Sequence, residues 1–245
     1  GGFFINLGLN YKLNDMKKIL LLFSFLFSVS LFSQQLYWYD VILKVNGEDT
    51  VEFENAVDAY YSSVDFPEDV TMSFSSIPIK GMGFEDTHIL SFVSPSSQSL
   101  ANLRASLSGE QWDNYVDVVR PFTDNVRAST GVVPWVYKAE EFYGIGQVWG
   151  FRVNSKDIPV FANAFTKLME TFDSPGFVAL TQVTHGISKG ENLLIYGTYP
   201  DLNSAFTFGP KNDSESQAFE EFFNVTAEIS EFTQSWTRLL IKAYN

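Results

Sequence analysis

The chain has 245 residues, no cysteine and two histidines, and its 29 acidic residues against 16 lysines and arginines give a net charge of −13. This acidity argues against a nucleic-acid-binding protein, which needs a cationic face to displace phosphate counterions. The lack of cysteine excludes disulfide scaffolds, thiolate zinc sites, iron–sulfur clusters and cysteine nucleophiles. A hydrophobic content of 45% is typical of a folded domain rather than of a disordered chain.

The N-terminal part has the pattern of a secretory signal peptide. A methionine and two lysines at 16–18 precede an uncharged apolar run over 19–32, which is shorter than the roughly 20 residues of a membrane-spanning helix. We therefore predict an upstream non-native segment at 1–15, a bacterial signal peptide at 16–34, and a mature protein that is periplasmic or secreted. Because no cysteine follows the apolar run, we predict no lipid anchor and no stable membrane anchor after cleavage.

The first half of the mature chain, at 35–140, predicts the element order βαββαβ. Alternating and aromatic residues predict strands, and apolar residues at helical spacing predict helices. Gly109 and Pro121 are expected to divide the second helical stretch, and Pro134 marks an edge or a bulge in the last strand. The predicted strands span 37–45, 70–79, 88–93 and 132–137, and the predicted helical stretches span 50–63 and 97–125.

The second half, at 141–245, predicts the same order again. Residues 51–57 align with 159–165 at an offset of 108, and residues 136–139 align with 240–243 at an offset of 104. Because several such matches follow one another in the same order, we predict a duplication. The predicted strands of this half span 146–153, 177–185, 192–199 and 237–244, and the predicted helices span 158–172 and 216–229.

The order βαββαβ is that of the ferredoxin-like unit, in which both helices cover one face of a four-stranded antiparallel sheet. The open faces of two units can cover each other. The predicted fold is therefore α+β, with two tandem βαββαβ ferredoxin-like repeats whose sheets pack face to face. This architecture resembles the dimeric α+β barrel superfamily, which includes antibiotic-biosynthesis-type monooxygenases. The resemblance rests on element order and on the repeat, and it implies the architecture without a specific family.

Strand alternation predicts which side chains face the space between the two sheets. On the first strand of each half, one face is largely apolar and should pack against the helices. The opposite face mixes charged, aromatic and glycine residues, which is typical of a ligand pocket with a few polar groups. The predicted ligand-binding residues are Trp38, Asp40, Lys44, Arg152, Thr181 and His185.

Two of these residues, His185 and Asp40, are candidates for a catalytic base. His185 shares a strand face with Thr181, and an imidazole titrates close to neutral pH. The alternative interpretation of His185 is a strand-end histidine that faces solvent before Gly186.

The resemblance also allows two haem-binding types to be considered. Haem-degrading members of the superfamily carry an axial histidine on the helix after the third strand, but no histidine lies in 97–130 or in 202–235. Chlorite-dismutase-like proteins carry a haem histidine as well, and neither His88 nor His185 lies on a predicted helix. We therefore predict no cofactor and no metal site. His88, which begins a strand beside the acidic residues 85–86, is interpreted as structural.

Three functions stay open at this point. The first is a non-catalytic module that binds a small apolar or aromatic ligand between the two repeats. The second is a cofactor-independent oxygenase- or isomerase-like enzyme of the dimeric α+β barrel type, with His185 or Asp40 as its base. The third is a structural or protein-interaction module, which includes a homo-oligomer formed through a sheet edge near Pro134. The sequence favours the binding module and leaves open whether the chain is an enzyme.

Overall fold

Eight antiparallel strands form the centre of the computed structural model, which describes residues 35–186 and 190–245. The predicted segments at 1–15 and 16–34 lie outside the described residues. The strands are β1 (Leu36–Val45), β2 (Thr71–Lys80), β3 (His88–Ser94), β4 (Thr123–Tyr137), β5 (Ile145–Val153), β6 (Val178–His185), β7 (Leu193–Tyr199) and β8 (Ser230–Tyr244).

The strands close into one barrel with the neighbour order β1-β3-β2-β8-β5-β7-β6-β4. The first-half strands are neighbours in the order β4-β1-β3-β2, and the second-half strands follow in the corresponding order β8-β5-β7-β6. The β2–β8 and β4–β6 pairs join these two groups. The predicted α+β class is confirmed, and the strands of the two halves are joined by these pairs into one closed barrel.

Within residues 35–186 and 190–245, six α-helices lie on the outside of the barrel. On α1, the buried residues Phe53, Val57, Tyr60 and Tyr61 recur at helical spacing, so one stripe of this helix faces the strands. None of the helices in the described parts of the chain is long and apolar enough to cross a membrane. The helices are α1 (Thr50–Tyr61), α2 (Ser97–Ser106), α3 (Glu110–Val119), α4 (Ile158–Thr171), α5 (Leu202–Phe206) and α6 (Asp213–Thr226).

The two longest strands differ most from their predicted bounds, because β4 and β8 each have 15 residues. Their first halves pair on one side only: β4 pairs with β6 only from Thr130 onward, and β8 pairs with β2 only from Trp236 onward. Gly109 does separate two helices, and its φ of 83° is one that a glycine adopts readily. Pro134 lies at a bulge in the β4–β6 pairing, between Val132 and Trp135, which confirms the second of the two predicted alternatives, an edge or a bulge.

Alternation along each strand separates an inner from an outer hydrophobic core. Leu43, Val45 and Phe74 belong to a core that also contains α1 residues, and Val153 and Leu180 belong to a second outer core with α4 residues. The alternate residues of the same strands point into the barrel and form two further clusters. The barrel interior is thus lined by the faces that the sequence pattern predicts.

Candidate functional site

The barrel interior consists of two apolar clusters with a polar layer between them. Trp38 belongs to one cluster and Ile42 to the other, and Asp40 lies between them on the same face of β1. Tyr196 on β7 packs against both clusters. Alternation on β1 therefore places a carboxylate in the middle of an otherwise apolar interior.

Four side chains from four strands form this polar layer, namely Asp40, Ser91, Tyr196 and Arg238. The guanidinium of Arg238 donates to the Ser91 hydroxyl at 2.8 Å and to the Tyr196 hydroxyl at 2.6 Å. Ser91 is opposite Asp40 in the β1–β3 pairing and hydrogen-bonds the Asp40 carboxylate. Ser91 thereby connects the buried cation to the buried acid.

Gly146 makes room for this layer on β5, because a Cβ atom there would lie 2.6 Å from the Tyr196 hydroxyl oxygen. Arg238 is opposite Gly146 in the β5–β8 pairing. The glycine therefore lets the tyrosine and the arginine share a space that a larger side chain would fill.

Burial raises the pKa of the Asp40 carboxyl from 3.8 to about 6, while the positive charge of Arg238 and the hydrogen bond from Ser91 act in the opposite direction. Asp40 is half-buried, and it lines a small cavity whose wall also includes the exposed residues Ala128 and Gly186. A carboxyl with a pKa near 6 is ionised at neutral pH and is a stronger base than an ordinary aspartate. Asp40 thus has the properties of a general base.

The cavity beside Asp40 has a volume of about 50 Å³. A space of this size holds one to a few water molecules, so the interior contains no preformed room for an aromatic ligand at this place. Polar groups of four other residues join Asp40 in the lining, and Ile42, Val148, Leu194 and Trp236 are among its apolar walls. The polar lining residues besides Asp40 are Arg127, Ser129, Glu191 and Gln234.

Five polar side-chain atoms of the barrel strands are buried without a hydrogen-bond partner among the residues that the structure describes. They are the indole nitrogen of Trp38 and the hydroxyls of Ser75, Thr181, Tyr199 and Thr233. Trp38 and Thr181 are two of the predicted ligand-binding residues. Because a buried polar group without a partner is costly, these atoms favour bound water or a polar ligand in the interior.

The other predicted ligand-binding residues lie at strand ends, away from Asp40. Lys44 contacts Glu85 at 3.2 Å and Asp124 at 3.7 Å, and Arg152 pairs with Glu231 at 2.8 Å. The structure therefore brings Trp38, Asp40 and Thr181 into the barrel interior and places Lys44 and Arg152 in surface ion pairs.

His185 is exposed at the end of β6, and its ring nitrogen lies 3.2 Å from the Thr184 hydroxyl. The cavity lining includes the neighbouring Val183 and Gly186 but not His185 itself. The interpretation of His185 as a solvent-facing strand-end residue fits this position, and Asp40 is the better candidate for a base.

Sequence reasoning missed Arg238, Tyr196 and Ser91. Arg238 lies in the second position of the predicted strand 237–244, and its inward direction follows from Trp236, which precedes it by two residues on the same face. Extending the predicted strand backwards to include Trp236 would have identified this buried arginine.

The described residues do not fit a haem group. His88 is buried against Phe53 and Phe74, and its ring nitrogens contact Thr87 at 2.9 Å and Glu54 at 3.2 Å. His185 does not line the cavity, and about 50 Å³ is far too small for a macrocycle. Among the described residues, no group of three or more acidic or histidine side chains is placed to hold a metal ion.

No protein family and no curated protein matches the chain by sequence. Solved structures do match its fold. A candidate monooxygenase from Lactobacillus acidophilus NCFM superposes with a TM-score of 0.61 at 12% identity, over 86% of this chain and 96% of that protein. An anthrone oxidase-like protein gives a TM-score of 0.60 at 10% identity, over 86% of this chain and 93% of that protein.

A candidate chlorite dismutase gives a TM-score of 0.51 at 10% identity, over 85% of this chain and 95% of that protein. Identities this low establish similarity of fold and nothing finer. The solved structures share the fold of this closed eight-stranded antiparallel barrel, so the predicted resemblance to the dimeric α+β barrel architecture is confirmed at the level of the fold.

Proposed function

We propose that this chain is a cofactor-independent enzyme of the dimeric α+β barrel type, in which Asp40 moves a proton of a small organic substrate. The observation that carries the proposal is the position of Asp40, a carboxyl with a pKa of about 6 that lines a small, partly open cavity of the barrel. Perturbed acids in cavities are frequent at catalytic sites. The fold similarity to a candidate monooxygenase and to an anthrone oxidase-like protein supports the same class.

The proposed step is the transfer of a proton from a C–H or O–H acid to the Asp40 carboxylate. The electron pair of the broken bond stays on the substrate as an anion. In an isomerase, Asp40 returns the proton to another atom of that anion. In an oxygenase, the anion gives one electron to molecular oxygen, the substrate radical and superoxide combine to a peroxide anion, and Asp40 returns its proton to that anion. Arg238 supplies the positive charge of the polar layer. This charge favours an ionised Asp40 carboxylate before the transfer.

The proposal includes export and a duplicated architecture. The apolar run at 19–32 supports cleavage of a signal peptide at 16–34 and a periplasmic or secreted location. The corresponding strand orders of the two halves, together with the sequence offset of 108, support two ferredoxin-like repeats at 35–140 and 141–245. The proposal also includes the formation of a homo-oligomer. Light scattering tests this part, because it measures the mass of the protein in solution.

Deuterium exchange tests the proposed proton transfer directly. The protein is incubated in D2O with acetylacetone, a small C–H acid, and loss of its acidic C–H signal is followed by proton NMR. We expect Asp40→Asn to slow the catalysed exchange about 100-fold or more, because general-base catalysis contributes roughly 10²–10⁴-fold. Lys44→Ala serves as the control at a strand end, and His185→Ala tests the other predicted base; both should leave the rate unchanged. Equal rates for Asp40→Asn and the unmodified chain would contradict the proposal.

A second candidate is a binding module without catalysis. The unpartnered polar atoms of Trp38, Thr181 and Ser75 favour it, since a polar ligand would supply their hydrogen bonds. At the Asp40 cavity, an apolar or aromatic ligand would require the inner clusters to open, because that cavity is small. Ligand-induced stabilisation without any exchange activity would favour this candidate over the enzyme.

A further inference from the structure

The connection between β2 and β3 places a phenylalanine in the mouth of the barrel. Phe84 is buried, although Gly81, Met82 and Gly83 before it and Glu85 after it are exposed. Its ring packs with Ile42, Val148 and Trp236, three residues that also line the Asp40 cavity. The centroids of the Phe84 and Trp236 rings are 5.9 Å apart. The phenyl ring therefore occupies space that adjoins the cavity.

An ion pair holds this connection against the barrel. The Arg127 guanidinium on β4 contacts the Asp86 carboxylate at 2.6 Å and also lies over the Phe84 ring, with its Cζ atom 5.3 Å from the ring centroid. Asp86 is buried, and Arg127 itself lines the cavity. Arg127 thus contacts the Asp86 carboxylate and the Phe84 ring of the connection, and it also lines the cavity.

The backbone around Phe84 is suited to movement at its N-terminal side. Gly83 has a φ of 82°, and the space around Gly81 and Gly83 would accept a Cβ atom without contact. On the other side, the backbone N–H of Thr87 donates a hydrogen bond to the Leu43 carbonyl at 2.8 Å. The backbone dihedral angles of the connection can therefore change at Gly81 and Gly83, while the start of β3 stays paired with β1.

We infer that Phe84 is a plug over the Asp40 cavity, held by the Arg127–Asp86 ion pair, and that its displacement admits one phenol-type ring. The volume that a phenyl ring vacates has the size and the apolar walls for another six-membered ring. Asp40, Ser129 and Gln234 line the same cavity and supply polar contacts for a hydroxyl group. This inference rests on the proposed function and names its substrate class as a monocyclic aromatic O–H acid.

Calorimetric titration with phenol and with toluene tests the plug, because the two molecules have nearly the same shape and differ in the hydroxyl. We expect Phe84→Ala to bind phenol at least about tenfold more tightly than the unmodified chain. In Phe84→Ala combined with Asp40→Asn, phenol affinity should fall about fivefold and toluene affinity should not change, since a charged acceptor makes the stronger hydrogen bond.

Phe92→Ala is the matched control, because it removes an equally buried ring from an outer core and should not increase phenol binding. Asp86→Asn weakens the ion pair while Phe84 stays present, and it decides the question if Phe84→Ala fails to fold; it should increase phenol affinity, although less. If phenol affinity rises in neither Phe84→Ala nor Asp86→Asn, the inference that Phe84 is a plug is overturned. If phenol affinity rises but does not depend on Asp40→Asn, the inferred substrate class is overturned. If phenol binds as expected and no deuterium exchange is catalysed, the proposed function fails and the plug stands.

Discussion

Burial raises the pKa of the Asp40 carboxyl, and the positive charge of Arg238 lowers it. Its pKa in the folded chain is raised from 3.8 to about 6, so the folded state binds more protons than the unfolded state between these values. The contribution of Asp40 to stability is therefore fully present below about pH 4 and is lost as the pH rises through about 6. The lost free energy amounts to about 3 kcal/mol. Such a cost at neutral pH is typical of a functional residue, since a neutral side chain would avoid it.

The pKa of His88 is shifted in the opposite direction to that of Asp40. Desolvation lowers its pKa, and the contact with Glu54 opposes that shift. Because the unfolded histidine binds protons more readily, the free energy of unfolding should decrease as the pH falls below about 6.5. We predict that Glu54→Gln makes this decrease steeper, because it removes the charge that favours a protonated His88.

Urea unfolding over a series of pH values checks this prediction. His88→Leu is the matched variant, since it cannot be protonated and should make stability less dependent on pH in the same window. Identical pH profiles for Glu54→Gln and the unmodified chain would show that Glu54 does not affect the protonation of His88.

The sequence predicted the face of each candidate residue but not its depth in the barrel. Asp40, Lys44 and Arg152 all lie on the predicted face, yet only Asp40 is near the middle of its strand. Lys44 and Arg152 are close to strand ends, where side chains reach solvent and form surface ion pairs. Alternation has a period of two and carries no information about position along the barrel axis.

Among the structural elements, β4 and β6 approach closely at a bulge beside Trp38. A Cβ atom on Gly131 would lie 2.0 Å from the Gln182 carbonyl oxygen and 2.7 Å from the Trp38 ring. We predict that Gly131→Ala destabilises the chain by about 2 to 3 kcal/mol, because the backbone of β6 and the indole ring must both move. Chemical denaturation measures this change.

Gly47→Ala is the control for that substitution, because no atom lies within 4 Å of a Cβ atom at position 47. Its effect should stay within about 0.5 kcal/mol. If both substitutions had the same small effect, the close approach of β4 and β6 at Gly131 would be incorrect.

The first half of β4 shows why some elements were not predictable. Residues 123–131 are mostly polar and follow a helical stretch, so no apolar alternation marks a strand there. This part of β4 is a strand because β1 pairs with it from Leu36↔Val133 to Val45↔Thr123. Long-range pairing of this kind is absent from the local sequence pattern.

For the whole molecule, the duplicated sequence pattern predicted a double α+β architecture, and the barrel closes through pairs that only the complete fold contains. The β2–β8 and β4–β6 pairs connect strands from different halves. They enclose the polar layer, in which Asp40 and Ser91 come from the first half and Tyr196 and Arg238 from the second. The candidate site therefore requires both halves, and this explains why its arginine and tyrosine were not found from either half alone.

The account depends most on Asp40 being a buried base at neutral pH, and carbon-13 NMR of its carboxyl carbon measures this directly. In a chain labelled at aspartate, Asp40→Asn identifies the Asp40 signal by its disappearance. The account predicts a titration midpoint at about pH 6, well above that of an ordinary aspartate. A midpoint near 4 would contradict it, because Asp40 would then be a solvated carboxylate without the basicity that the proposed proton transfer needs.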